Sequence, residues 1–143
     1  MTCANKYQKS SLRAYNTATQ PIGNATFSNI GYKSGVSIDL TAGSDTIYLK
    51  NPGLYYVTAD VDLSNTTAAT ASSVQMYVNG VALAGALTEA TIITAGDVEP
   101  GSIAAVVPVG AQCCCSQGTA ITFVISGTTA TIQNINVIII KMA

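Results

Sequence analysis

Three consecutive cysteines, Cys113-Cys114-Cys115, and seven scattered carboxylates are the groups of this chain best equipped for chemistry. Histidine is absent, which removes Ser-His-Asp and Cys-His nucleophilic catalysis and every metal site that needs imidazole. In a strand, adjacent side chains point to opposite faces, so Cys113 and Cys115 would share one face and Cys114 the other. Neighbouring cysteines rarely bridge each other because the geometry is strained. Cysteine metal ligands are normally spaced by two or more residues. Two readings stand: small apolar residues in a buried strand, or clustering between subunits or pairing with Cys3. Assembly in a reducing cytoplasm favours free thiols. No phosphate-binding loop or dinucleotide fingerprint occurs, and no carboxylate pair sits in an acid–base motif. The chain reads as non-enzymatic and without a cofactor.

The segment with the clearest periodicity is Asn51 to Leu63, and it carries two of the carboxylates. Asn51-Pro52-Gly53 is a turn signal, because proline fixes its own φ and glycine accepts φ > 0. Strict alternation follows. Tyr55, Val57, Ala59, Val61 and Leu63 form an apolar face, and Leu54, Tyr56, Thr58, Asp60 and Asp62 form the other. A period of two is the strand period. The first face belongs in a core. The second starts aromatic and ends acidic, so a partner is to be sought there. Asp60 and Asp62 are weak candidates for a cation; otherwise they curve into solvent, and no metal site is expected.

Composition sets the class. The chain has 143 residues, one domain by length. Charged residues are 9%, against roughly 25% in an average globular protein. Thr, Ser, Asn and Gln supply the polarity, and β-branched residues favour pleated structure. So few surface charges suggest that an oligomer covers much of the surface; the alternative is that Thr and Asn solvate a monomer. A net charge of −1 implies no nucleic-acid partner. Lys6, Lys9 and Arg13 precede the first acid, Asp39. Such a basic arm, with Tyr7, could dock on an acidic surface of an assembly or fray in solvent. No signal peptide is visible, and no run reaches the roughly 18 apolar residues of a membrane span, so no membrane insertion is expected.

Residues 1–10 lack periodicity and read as an N-terminal arm; residues 11–143 read as a single domain. Strands are expected at 11–19, 26–30, 36–40, 45–50, 53–63, 73–78, 81–87, 91–94, 103–109, 119–126 and 131–142. Turns are expected at 31–35, and loops at 64–71 and 88–101. Val36, Ile38 and Leu40 should point inward, and Val137 to Ile140 should be deeply buried. Asn79-Gly80 is a strong hairpin signal, since both residues accept φ > 0. Pro108 should lie near a strand end or on an edge strand. Many short strands at regular spacing, with no helical periodicity, point to an antiparallel sandwich or barrel.

The stretch Pro52-Gly53-Leu54-Tyr55-Tyr56-Val57 resembles the Gly-x-Tyr-x-(Phe/Val) strand of the C1q and tumour-necrosis-factor superfamily. Gln117 to Phe123 resembles its "Gly-Asp-x-Val-x-Leu" strand, with Thr119 at the acidic position as a departure. Asn136 to Lys141 resembles its closing strand. The resemblance spans roughly residues 11–143. It implies an all-β, antiparallel jelly-roll sandwich of about eight to ten strands that assembles as a compact homotrimer. It also implies that Tyr56 and Thr58 face the three-fold axis, with Leu54 on the same face.

Animal members are secreted, many behind a collagen stalk; this chain shows neither a signal nor Gly-X-Y repeats. Similar short domains rich in Thr, Ala and Asn occur in phages as head-fibre, decoration or receptor-binding parts. The resemblance therefore implies a homotrimeric virion head-fibre or capsid decoration protein, assembled in the host cytoplasm. It would dock on a capsid or other virion protein through residues 1–20, with Lys6, Tyr7, Lys9 and Arg13 in contact. The alternative is a host-receptor or glycan-binding module, on a phage or on a bacterial surface or spore coat, using loops 64–71 and 88–101.

Overall fold

A computed structural model describes residues 9–111 and 116–143. Its strands are β1 (Ser11–Asn16), β2 (Gln20–Pro21), β3 (Gly23–Asn24), β4 (Asn29–Ser34), β5 (Ile38–Asp39), β6 (Ile47–Leu49), β7 (Gly53–Asn65), β8 (Thr70–Val78), β9 (Val81–Ile92), β10 (Val98–Val109), β11 (Thr119–Ser126) and β12 (Ala130–Lys141). They form two antiparallel sheets. Sheet I runs β10-β7-β12-β1-β4, with β2 beside β12; sheet II runs β5-β6-β11-β8-β9, with β3 beside β11. The first and last long strands pair at the centre of sheet I, and the chain crosses repeatedly between sheets. This is the all-β jelly roll that the C1q/TNF resemblance implied. Among the described residues no helix is long and apolar enough to cross a membrane.

The alternating residues make the core. Leu12, Tyr55, Val57, Ala59, Val61, Leu63, Ile135, Val137 and Ile139 point in from sheet I. Ile47, Leu49, Val74, Met76, Ile121, Phe123 and Ile125 meet them from sheet II. Phe123 packs edge-on against Phe27, with ring centroids 6.2 Å apart, a favoured aromatic geometry. Pro108 lies on β10, an edge of sheet I, where a missing N–H costs no ladder bond.

The turn before β7 has a specific task. Gly53 has φ +148°, and a Cβ there would collide with the Ala143 carbonyl oxygen. That carbonyl accepts the Leu54 N–H at 3.1 Å, and the Met142 N–H donates to Leu54 O at 2.7 Å. The C-terminus is thereby laid along β7. Below it, the buried Tyr55 hydroxyl donates to Asn51 O at 2.7 Å, and the Asn51 amide donates to Ser37 Oγ at 2.8 Å. Burial pushes the Tyr55 hydroxyl above its ordinary pKa. At the β8–β9 hairpin, Asn79 and Gly80 have φ +50° and +78°, as Asn-Gly requires.

Several local expectations are corrected. Residues 31–34 are strand rather than turn; a Cβ at Gly31 would lie 2.8 Å from Arg13 Nη1, so glycine serves close approach of β4 to the β1 side chains. Val36 is exposed, and Ser37 and Ile38 are buried together, because the strand begins only at Ile38 and Ser37 is held inward by Ser10 Oγ, which accepts its N–H, and by the Asn51 amide, which donates to its Oγ. The separate strand at 91–94 is not formed: Thr91 and Ile92 end β9 and residues 93–94 begin the turn to β10. Gln75 supports that long strand: its amide donates to Leu83 O at 2.8 Å and Ala86 O at 3.1 Å, beside the register shift between β8 and β9. Ile138 and Ile140 are 37% and 44% exposed, so only half of the Val137–Ile140 run is core. The alternation that buries Val137 and Ile139 necessarily turns the two isoleucines outward.

Candidate interaction surface

The outer face of sheet I follows from strand register. Pro108 on β10 lies opposite Leu54 on β7, and Met142 follows across the strand. The next row is Val106, Tyr56, Ile140 and Ser11. Then come Ala104, Thr58, Ile138, Arg13 and Tyr32. Ser102, Asp60, Asn136 and Tyr15 form the fourth row, and Pro100, Asp62 and Asn134 the fifth. Three consecutive rows are therefore mainly apolar and two are polar.

Leu54, Tyr56, Val106, Ile138, Ile140 and Met142 are all exposed, and the register makes them neighbours. Scattered exposed apolar residues need no explanation, but a contiguous patch on a soluble domain marks an interaction site. Tyr56 sits at its centre, an aromatic with a polar tip of the kind enriched at interface anchors. Leu54, Tyr56 and Thr58, expected on one face from sequence, are on it together. Val106, Ile138, Ile140 and Met142 were missed as members. The two isoleucines lay in the Val137–Ile140 run that reads as buried, and Val106 lay in a strand whose outward face was not assigned; only their pairing with β7 reveals the face they occupy.

The polar rows are self-contained on one side. Arg13 Nε donates to Asn136 Oδ1 at 3.0 Å, and its guanidinium lies 4.7 Å from the Tyr15 ring centroid, a cation–π contact. Arg13 thus belongs to β1 and to this face, not to a detached arm. Lys9 is exposed just before β1. Lys6, Tyr7, Cys3 and the three cysteines Cys113, Cys114 and Cys115 lie outside the described residues. Asp60 is exposed and Asp62 half-buried. Among the described residues no group of three or more His, Cys, Asp or Glu side chains is gathered to hold a metal ion.

The proposed binding loops are smaller than expected. β7 runs to Asn65 and β8 begins at Thr70, leaving 66–69. Asn65 is fully buried; its amide donates to Thr128 O at 2.9 Å, and its carbonyl accepts the Thr67 N–H at 2.8 Å and the Thr129 hydroxyl at 2.7 Å. That polarity ties the loop end together. Likewise 88–101 is mostly β9 and β10, joined by a turn around Gly96.

Comparison with known proteins agrees with this architecture. No family model and no curated protein matches the sequence. Solved structures match by shape. Murine APRIL superposes with TM-score 0.66 at 13% identity, covering 94% of this chain and 100% of that one. Eiger TNF from S. frugiperda gives 0.62 at 11%, covering 97% and 94%. The vertex protein P5 of phage PRD1 gives 0.57 at 14%, covering 94% and 97%. The chain has the TNF-like jelly-roll fold, which also occurs in a phage vertex protein.

Proposed function

We propose that this chain is a non-enzymatic virion structural protein, a head-fibre or capsid decoration component, working as a homotrimer closed over the outer face of sheet I. The observation that carries the association is the contiguous apolar patch around Tyr56, with Leu54, Thr58, Val106, Ile138 and Ile140. The C1q/TNF resemblance implies three-fold association through the same strand. The virion assignment is supported by likeness to a phage vertex protein of nearly equal extent. Attachment to the particle falls to residues 1–10, with Lys6, Tyr7 and Lys9 as contacts, since Arg13 is engaged in sheet I.

Sedimentation equilibrium at micromolar concentration tests the association: the expected mass is three times the 14.6 kDa chain. A mass of one chain would end the trimer reading. Removing residues 1–9 should release the protein from purified virions and leave it a trimer. Retention on the particle would overturn the arm assignment.

A further inference from the structure

The opposite side of the molecule carries a hollow of different chemistry. β5 and β6 finish sheet II, and a cleft of about 370 Å³ opens there, lined by Asp39, Ser44, Thr46, Tyr48, Lys50 and Gln117 among others. Strand pairing sets Asp39 directly opposite Tyr48, with Ala120 on the other side of Tyr48. The rim is held by the backbone. Ser44 N–H donates to Thr41 O at 2.9 Å, and Phe27 N–H donates to Ser44 O at 3.0 Å. The Thr46 N–H donates to Ser44 Oγ at 3.2 Å. A site fixed before binding loses less entropy on binding.

The described lining carries one negative charge, Asp39, and one positive charge, Lys50, with Lys33 reaching Asp39 from β4. Asp39 Oδ1 lies 3.0 Å from Lys33 Nζ, and Oδ2 lies 3.5 Å from Lys50 Nζ. The Lys33 hydrogen bond, helped by both ammonium charges, holds the Asp39 carboxyl below the usual carboxylate range despite partial desolvation. A phosphate or sulfate would meet the Asp39 carboxylate beside Lys50, the one cation among the described lining residues. A divalent cation takes six or so oxygen ligands, usually including several carboxylates, and Asp39 is the only carboxylate among the described lining residues. What converges is a set of mixed donors and acceptors beside an aromatic ring: one carboxylate, one ammonium, several hydroxyls, an amide and a phenol.

A sugar ring presents the complement, with hydroxyls around its rim and an apolar C–H face. We propose that this cleft binds a neutral saccharide, a hexose or N-acetylhexosamine unit of a glycan. Asp39 and Gln117 bond its hydroxyls, Lys50 donates to a ring or hydroxyl oxygen, and Tyr48 packs on the C–H face. The volume sits at the lower end of the roughly 300–1,000 Å³ range of small-molecule sites, which suits a short saccharide. The cleft lies on sheet II, so it stays open in an assembly closed over sheet I and does not depend on that assembly.

The test is saturation-transfer difference NMR on the full chain with the methyl glycosides of glucose, galactose, mannose and N-acetylglucosamine at millimolar concentration. Transfer to at least one glycoside is expected. Tyr48→Ala and Asp39→Asn should each weaken it about tenfold or more, equivalent to about 1.4 kcal/mol. Tyr48→Phe, which keeps the ring and the fold, should retain binding, and Thr122→Ala on the same sheet should leave it unchanged. Absence of transfer to all four glycosides overturns the proposal. So does transfer that survives both Tyr48→Ala and Asp39→Asn, or displacement of the sugar by inorganic phosphate.

Discussion

Sheet I turns Tyr56, Val106, Ile138 and Ile140 toward solvent, whereas sheet II turns out Gln75, Tyr77, Thr122 and Val124, all half-buried. Both sheets bury the other half of the same alternation in one shared core. The difference lies in how their outer residues are completed. On sheet II the polar groups find partners within the chain: Gln75 closes the carbonyls of β9, and Asp39 pairs with Lys33 and Lys50. On sheet I the apolar rows have no covering element among the described residues. Burying such surface gains about 25 cal/mol per Å², which is why the association proposed above is placed on sheet I, although sheet II also exposes Val81 and Leu87 on β9.

The largest effects should ignore this distinction, because both sheets rest on one core. Phe123→Ala removes a fully buried ring that packs against Phe27. It should cost about 3–5 kcal/mol in urea unfolding. A loss below 1 kcal/mol would mean that sheet II does not rest on the core. Next comes a direct contrast of the two faces. Ile140→Asp places a charge in the apolar rows and should weaken self-association by about 2 kcal/mol or more, as at an interface hot spot. Thr122→Asp on sheet II should leave the sedimenting mass unaltered. Equal effects from the two would erase the asymmetry.

A smaller change concerns how the patch is bounded. Gly53→Ala forces a Cβ against the Ala143 carbonyl at φ +148° and should cost roughly 1–3 kcal/mol. It should also detach the C-terminus, giving faster amide exchange at Met142 and Leu54. Unchanged exchange there would show that the terminus is not held by this turn.

The smallest effect is electrostatic and lies where Asp39 of sheet II meets Lys33 of β4 in sheet I. Asp39 and Asp45 both have carboxyls held below their ordinary value of 3.8, Asp39 by Lys33 and Asp45 by Asn24 and Thr46. A depressed folded-state pKa gives stability that is present above the unfolded value and lost as pH falls through the lower folded one. Acid titration of stability should therefore show a loss beginning below about pH 4. Both carboxylates are largely solvated, so the loss should stay below about 1 kcal/mol and shrink with salt. Asp39→Asn should remove its share; an unaltered acid limb would show that the pairs contribute nothing.

Much of the fold was legible along the chain. The inward set of β7, the Asn79-Gly80 hairpin and the strands at 119–126 and 131–142 all follow from period-two alternation and turn chemistry, which are local. The mixed face of β7 was legible for the same reason. Val106, Ile138 and Ile140 were not, because a continuous β-branched run reads identically whether one of its faces is buried or both. The loops at 64–71 and 88–101 were overestimated, since Asn65 and Thr129 look like loop residues until they are seen bonding each other. The cleft at Asp39 was not legible either: Asp39 and Tyr48 meet through the β5–β6 pairing, and Gln117, about seventy residues on, joins them only through the pairing of β6 with β11.

The sequence by itself therefore determined the β class, the turns, the core half of each strand and the absence of histidine chemistry. These depend on side-chain periodicity and residue type within a few positions. Tertiary structure alone decided which strands lie side by side, and so which outward residues combine. Register joined Tyr56 to Val106 and Ile140 into one apolar surface, and set Asp39 beside Tyr48 in a polar hollow. The sheet I neighbours, and Gln117 beside Tyr48, are selected by long-range hydrogen-bonded pairing, which no local pattern encodes.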